Sequence, residues 1–175
     1  MAADVRLIET AFDAGAELAA FTAAQAEAGG VASFLGQVRS GGGVEALELK
    51  HYGPLTLPGM NALAEAAQGR WPLLGLLIVH RSGVMLPGEP IVLVAAAARH
   101  RRDAFAAAEF AMDHLKSESW FWKREKVGGA WSWIEPRDVD FEDLKRWGEK
   151  NRGLIEVKAA RQGWRQGGCI HRRHP

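Results

Sequence analysis

The sequence predicts a single α+β domain whose sheet is mixed or mainly antiparallel and is covered by helices. Two near-continuous apolar runs of strand length, Leu73–His80 and Ile91–Ala98, have the pattern of strands buried on both faces. A segment with helical period places Phe105, Ala108, Met112 and Leu115 at intervals of three and four, which gives one apolar stripe to lay on such a sheet. With 175 residues, 47% of them apolar, there is enough chain for one core, and two full domains would be crowded. The domain is expected over 1–148, followed by 149–175 as a basic, flexible tail.

The elements follow in order. Asp13–Glu27 reads as a helix capped by Asp13, with Leu18 and Phe21 facing inward and Gly29-Gly30 stopping it. Val31–Val38 alternates as a strand, and Gly41-Gly42-Gly43 turns the chain into Val44–Tyr52, so the pair is expected to form a hairpin. Gly53-Pro54 and Pro58-Gly59 punctuate a loop, after which a helix runs from about Met60 to Arg70 and ends at Trp71-Pro72. The two apolar strands are joined through Ser82-Gly83 and Pro87-Gly88. Beyond the amphipathic helix, Trp120–Glu125 and Trp131–Ile134 are expected to pair around Gly128-Gly129, and Asp140–Trp147 to form a short closing helix.

Composition excludes several classes. Cys169 is the one cysteine, so no internal disulfide framework exists and a reducing compartment fits. Met1–Thr10 carries Asp4, Arg6 and Glu9 and lacks the pattern of a secretory signal. The apolar runs are too short to span a bilayer, so a soluble, cytoplasmic protein is expected. Net charge is +1, but 149–175 holds seven Lys or Arg against two acids, which leaves about −4 on 1–148. A solvated terminus accounts for that tail more simply than a nucleic-acid contact does. Its Cys169, His171 and His174 are metal-capable, yet three ligands with no fourth nearby make a weak site, and neither a metal nor a cofactor is expected.

No nucleophile elbow, phosphate-binding glycine loop, dinucleotide fingerprint or zinc-protease motif is present. What stands out is a set of cations at element ends: Arg39, His80-Arg81, His100-Arg101, Lys116, Lys123 and Arg137. Guanidinium groups and free helix N–H groups both donate to phosphate or carboxylate, so the set suits an anionic ligand. Each cation is equally consistent, on its own, with a solvated surface charge, and His80-Arg81 with a structural role.

The order of short motifs is more specific. Phe34-Leu35-Gly36-Gln37-Val38-Arg39 is followed by Leu49-Lys50-His51-Tyr52, Arg70-Trp71-Pro72, His80-Arg81-Ser82-Gly83 and Pro87-Gly88-Glu89. Then come His100-Arg101-Arg102-Asp103-Ala104-Phe105, Met112-Asp113-His114-Leu115-Lys116 and Phe121-Trp122-Lys123-Arg124-Glu125. From about Val5 to Trp147 this series resembles the large, catalytic subunit family of molybdopterin synthase. The resemblance implies a hammerhead-like α/β arrangement with a small antiparallel subdomain. It also implies a sulfurtransferase of molybdenum cofactor biosynthesis that converts cyclic pyranopterin monophosphate to the dithiolene of molybdopterin. The sulfur would arrive as a thiocarboxylate on the C-terminal Gly-Gly of a small ubiquitin-like carrier, within a heterotetramer built on a homodimer of the large subunit.

Carried over by motif, Lys116 and Lys123 match the catalytic lysines. Gln37, Val38, Arg39, His100, Arg101, Arg124, Glu125 and Arg137 fall at substrate-binding positions together with the two lysines. Phe34 and Met112 match pocket-wall positions, although their spacing suits plain core equally well. The chain departs from the family pattern in several places, among them a short, glycine-rich loop after Arg39 and a tail past Trp147 that the match does not cover. Trp120 stands where a proline is usual, so the helix before it could run on toward Lys123; Gly53–Leu57 is an insertion; and Lys50 replaces an acid. An inactive homologue that keeps carrier binding, and a non-catalytic anion- or nucleic-acid-binding module, are the alternatives.

Overall fold

The structure, a computed structural model, describes residues 3–117, 120–134 and 145–148. In chain order the elements are β1 (Asp4–Ile8), α1 (Ala14–Ala23), β2 (Gly30–Gln37), β3 (Val44–His51), α2 (Gly53–Arg70) and β4 (Leu73–Arg81). They continue with β5 (Gly83–Met85), β6 (Pro90–Ala98), α3 (Arg101–Ser117), β7 (Phe121–Val127) and β8 (Ala130–Ile134). The strands form two four-stranded sheets, β1-β4-β6-β2 and β5-β3-β7-β8. The β1–β4 pair is parallel and the other pairs are antiparallel, so the expected mixed sheet is present.

The two apolar runs are the paired central strands of the first sheet, β4 and β6, and both faces are covered as expected. Leu77, Val79, Leu93 and Ala95 point to α1, where Leu18 and Phe21 meet them. Leu76, Ile78, Val92, Val94, Ala96 and Ala98 point the other way, onto α2 and α3. Period-two alternation on strands that are apolar on both sides is what lets one sheet seed two cores.

The expected hairpin between Val31–Val38 and Val44–Tyr52 does not form. β2 pairs with β6, and β3 pairs with β5 and β7. Gly41–Val44 does form a turn, but β6 is buried from Val92 to Ala98 and must satisfy its backbone groups on both edges, with β4 on one side and β2 on the other. β3 instead turns Leu47 and Leu49 into a second small core with Val38 and Met85.

The helices differ from expectation mainly at their ends. Asp13 caps α1 by accepting from the Gly15 and Ala16 N–H groups, but the helix stops at Ala23 and the chain turns through Gln25–Ala28. α2 begins at Gly53, through the segment expected to be a loop, with Pro54 in its first turn and Pro58 inside. Pro54 falls where the N–H is unpaired anyway, and the carbonyl orphaned by Pro58 lies on the exposed side. On α3 the inward face is Ala104, Ala107, Ala108, Ala111 and Leu115 with Phe110 and His114, whereas Phe105 is 66% exposed and leaves the expected stripe. The final hairpin is as expected: Val127 pairs with Ala130 around Gly128 and Gly129, whose φ values of 56° and 79° suit a two-residue turn only glycine enters cheaply. The expected helix Asp140–Trp147 falls largely outside the described residues, as does the tail 149–175. Among the described residues no helix is long and apolar enough to cross a membrane.

Candidate functional site

Lys116 stands in the last turn of α3, where the basic end of a helix is electrostatically favoured. Met112, one turn earlier, is buried in the main core, while Lys116 itself is exposed. Its Nζ lies 5.7 Å from the ring centroid of Phe34 on β2, and that ring is itself partly open to solvent. Phe34 and Met112 are therefore not equivalent: the first is an accessible wall beside the ammonium, the second is core that fixes the helix beneath it. β2 is the edge strand of its sheet among the described residues, and Ser33, Phe34 and Leu35 are exposed along it.

Lys123 lies on β7, a strand, so the helix does not run on to it despite Trp120. In register Lys123 faces Leu49 and Glu125 faces Leu47, which puts both charged residues on the apolar face of the second sheet. They join each other there, Nζ to Oε1, at 3.0 Å. Arg124 projects from the opposite face. It is held by Glu48 and lies against Trp131 and Trp133, 4.7 and 5.5 Å from their ring centroids. Strand alternation thus separates Arg124 from the lysine and the glutamate on either side of it.

At the end of β2, the Gln37 amide donates to the Gly88 carbonyl at 3.2 Å. Val38 is buried, its N–H donating to Glu89 and its carbonyl accepting from Gly88. These contacts tie the strand end to the turn before β6 and leave Arg39 exposed just beyond it. His100 and Arg101 are exposed at the start of α3, where the His100 carbonyl accepts from Asp103 and Ala104. At 1.5 Å per residue they stand about 22–24 Å along the helix direction from Lys116, so one copy of the chain does not bring them together. Arg137 lies outside the described residues.

His80 and Arg81 are taken out of the set of available cations. Both are buried; Arg81 pairs with Glu89 at 3.1 Å, and the His80 ring stacks on Phe121 with centroids 4.0 Å apart. Burial pulls the His80 pKa down to about 4, only partly opposed by the bond from its Nδ1 to the Arg81 carbonyl, so the ring is neutral at pH 7. Asp113, which the sequence offers only as part of the Met112–Lys116 motif, is also buried. It accepts from the Arg146 guanidinium and from the Trp147 indole N–H, pinning residues 145–148 against α3 one turn before Lys116. The signal available was an acid on the inward face of an otherwise apolar helix. Among the described residues no group of three His, Cys, Asp or Glu side chains could hold a metal.

This ordered corner can be set beside known proteins. The family model described as MoaE protein matches residues 7–118. The chain belongs to the MoaE protein family. A relative from Ralstonia nicotianae named molybdopterin synthase catalytic subunit is 46% identical over 147 residues, covering 82% of this chain and 84% of that protein. The solved structure of molybdopterin cofactor biosynthesis protein E from Burkholderia multivorans superposes with a TM-score of 0.73 at 42% identity, covering 85% of this chain and 99% of that one. Molybdopterin synthase from Staphylococcus aureus superposes at 0.66 with 26% identity, covering 74% and 95%. The α+β architecture expected from the sequence is thus the architecture of MoaE structures.

Proposed function

We propose that this chain is the catalytic subunit of a molybdopterin synthase. It takes sulfur from the C-terminal thiocarboxylate of a small ubiquitin-like carrier and transfers it to cyclic pyranopterin monophosphate, two sulfurs making the dithiolene. The observation that supports this best is the placement of Lys116: an exposed ammonium 5.7 Å from the centroid of the partly exposed Phe34 ring, on a helix whose other face is buried. Such a group can polarise the carbonyl of an incoming thiocarboxylate or protonate departing oxygen. The carrier brings the sulfur, so the protein needs no positioned cysteine, and a Gly-Gly tail has no side chains to obstruct close approach. Lys123 is the second catalytic candidate, with Glu125 holding its ammonium. Gln37, Val38, Arg39, Arg124 and Arg137 remain substrate-binding proposals. For Val38 any such contact would fall to its neighbours' surface, because its side chain and both its backbone groups are engaged.

The proposed assembly is a homodimer of this chain with one carrier at each distal end. The separation of about 22–24 Å along α3 supports it, since His100 and Arg101 of one copy would serve the lysines of the other. Reconstitution with thiocarboxylated carrier and pyranopterin substrate tests the function: dithiolene product is expected, and its absence with both subunits folded and associated contradicts it. Mixing Lys116→Ala chains with His100→Ala chains tests the assembly. Restored turnover is expected in the mixed dimer, and none would mean that each copy works alone.

A further inference from the structure

We infer that Trp120, seated in a socket formed by Thr56 and Gly59 of α2, is a positioning residue for Lys116 and Lys123; the inference rests on reading those lysines as the catalytic pair. α3 ends at Ser117, and β7 begins at Phe121, directly after Trp120. Lys116 lies four residues before Trp120 and Lys123 three residues after it. Fixing residue 120 on α2 therefore constrains where the strand carrying Lys123 starts relative to the helix carrying Lys116.

Trp120 is fixed at two points. Its side chain is 1% exposed, and its carbonyl accepts a buried hydrogen bond from Thr56 Oγ1 at 2.9 Å. The indole lies directly on the α2 backbone at Gly59, where a Cβ would stand 2.5 Å from Nε1, 2.6 Å from Cε2 and 2.9 Å from Cζ2. No side chain larger than hydrogen fits there unless the ring moves. The next element is anchored as well, because the Phe121 ring stacks on the buried His80. Thr56 supplies the hydroxyl and Gly59 supplies the space, so Trp120 makes one continuous contact with α2 that holds the start of β7.

The test uses three variants of the full chain: Gly59→Ala, which fills the socket; Gly59→Ala with Trp120→Phe, which removes the indole atoms that would collide; and Thr56→Val, which removes the hydroxyl and keeps the shape. Three quantities are read below the melting temperature: single-turnover dithiolene formation at saturating substrate, carrier affinity, and the ¹³C resonances of reductively methylated lysines. Gly59→Ala is expected to bind carrier as wild type does while its rate constant falls about ten- to a hundredfold, the penalty of a displacement on the order of 1 Å at a reacting group. The double variant should recover most of that rate. The Lys116 and Lys123 resonances should move in Gly59→Ala while that of Lys50, on the opposite face of the second sheet, stays in place. A folded Gly59→Ala with wild-type rate overturns the inference. Should that variant not fold, a wild-type rate together with unmoved resonances in Thr56→Val overturns it. Absence of product from the wild-type protein would instead remove the sulfur-transfer reading, and the lysine resonances would still decide the positioning.

Discussion

Replacing His80 with glutamine should flatten the acid side of the protein's stability curve. In the folded chain this imidazole is buried against Phe121 and neutral, with a pKa of about 4 against an ordinary value of 6.5. Below pH 6.5 the unfolded chain takes up a proton that the folded chain refuses until about pH 4. Stability is therefore full above 6.5, falls as the pH drops through that window, and levels off below it. At about 1.4 kcal/mol per tenfold change in proton affinity, the whole window is worth about 3 kcal/mol, and about 2 kcal/mol of it falls between pH 7 and pH 5. His114 adds in the same direction, since burial lowers its pKa too, so some slope should survive in the variant. Urea unfolding at pH 7, 6 and 5 measures both proteins. His80→Gln is expected to start less stable at pH 7 and to lose about 2 kcal/mol less on going to pH 5. Parallel curves for the two proteins would refute the reasoning.

Three further outcomes follow from the contacts described above. Asp113→Ala leaves the Arg146 guanidinium and the Trp147 indole without their shared acceptor and should cost about 1.5–3 kcal/mol in denaturant unfolding, with Asp113→Asn costing less. Arg39→Ala and His100→Ala should weaken substrate use about ten- to a hundredfold in titrations of single-turnover rate against substrate, with circular dichroism and melting unchanged, because both side chains are exposed. Lys126→Ala removes an exposed pair with Glu45 and should turn over as wild type does, whereas Lys123→Ala should be impaired in the same assay.

The sequence made the covered central strands, the α3 helix and the final hairpin legible because each depends on a local pattern: a continuous apolar run, a period near 3.6, and a Gly-Gly turn. It did not reveal that β2 would leave β3 for β6, since that choice is made by the unsatisfied edge of a strand more than fifty residues away. It also placed Phe105 on the inner stripe, although alanines let α3 approach the sheet closely and turned Phe105 outward. At the site, motif order singled out Lys116 and Phe34 separately, and their proximity comes from α3 packing on β2. The opposed directions of Lys123 and Arg124 follow from alternation along the expected hairpin strand, but which face is apolar is set by pairing with β3, more than seventy residues earlier in the chain. The removal of His80 and Arg81 from the cation set reflects burial, on which residue type alone is silent.

The central claim is that the Lys116 ammonium performs the chemistry and does not merely decorate the surface. The most direct measurement is single-turnover conversion of pyranopterin substrate by Lys116→Ala and Lys116→Arg with preformed thiocarboxylated carrier. Because Lys116 is exposed, both variants should fold and bind the carrier as wild type does. Both should also nearly fail to form dithiolene, since a planar, permanently charged guanidinium neither occupies the same point nor shuttles a proton. Robust turnover by folded, carrier-bound Lys116→Ala would contradict the account.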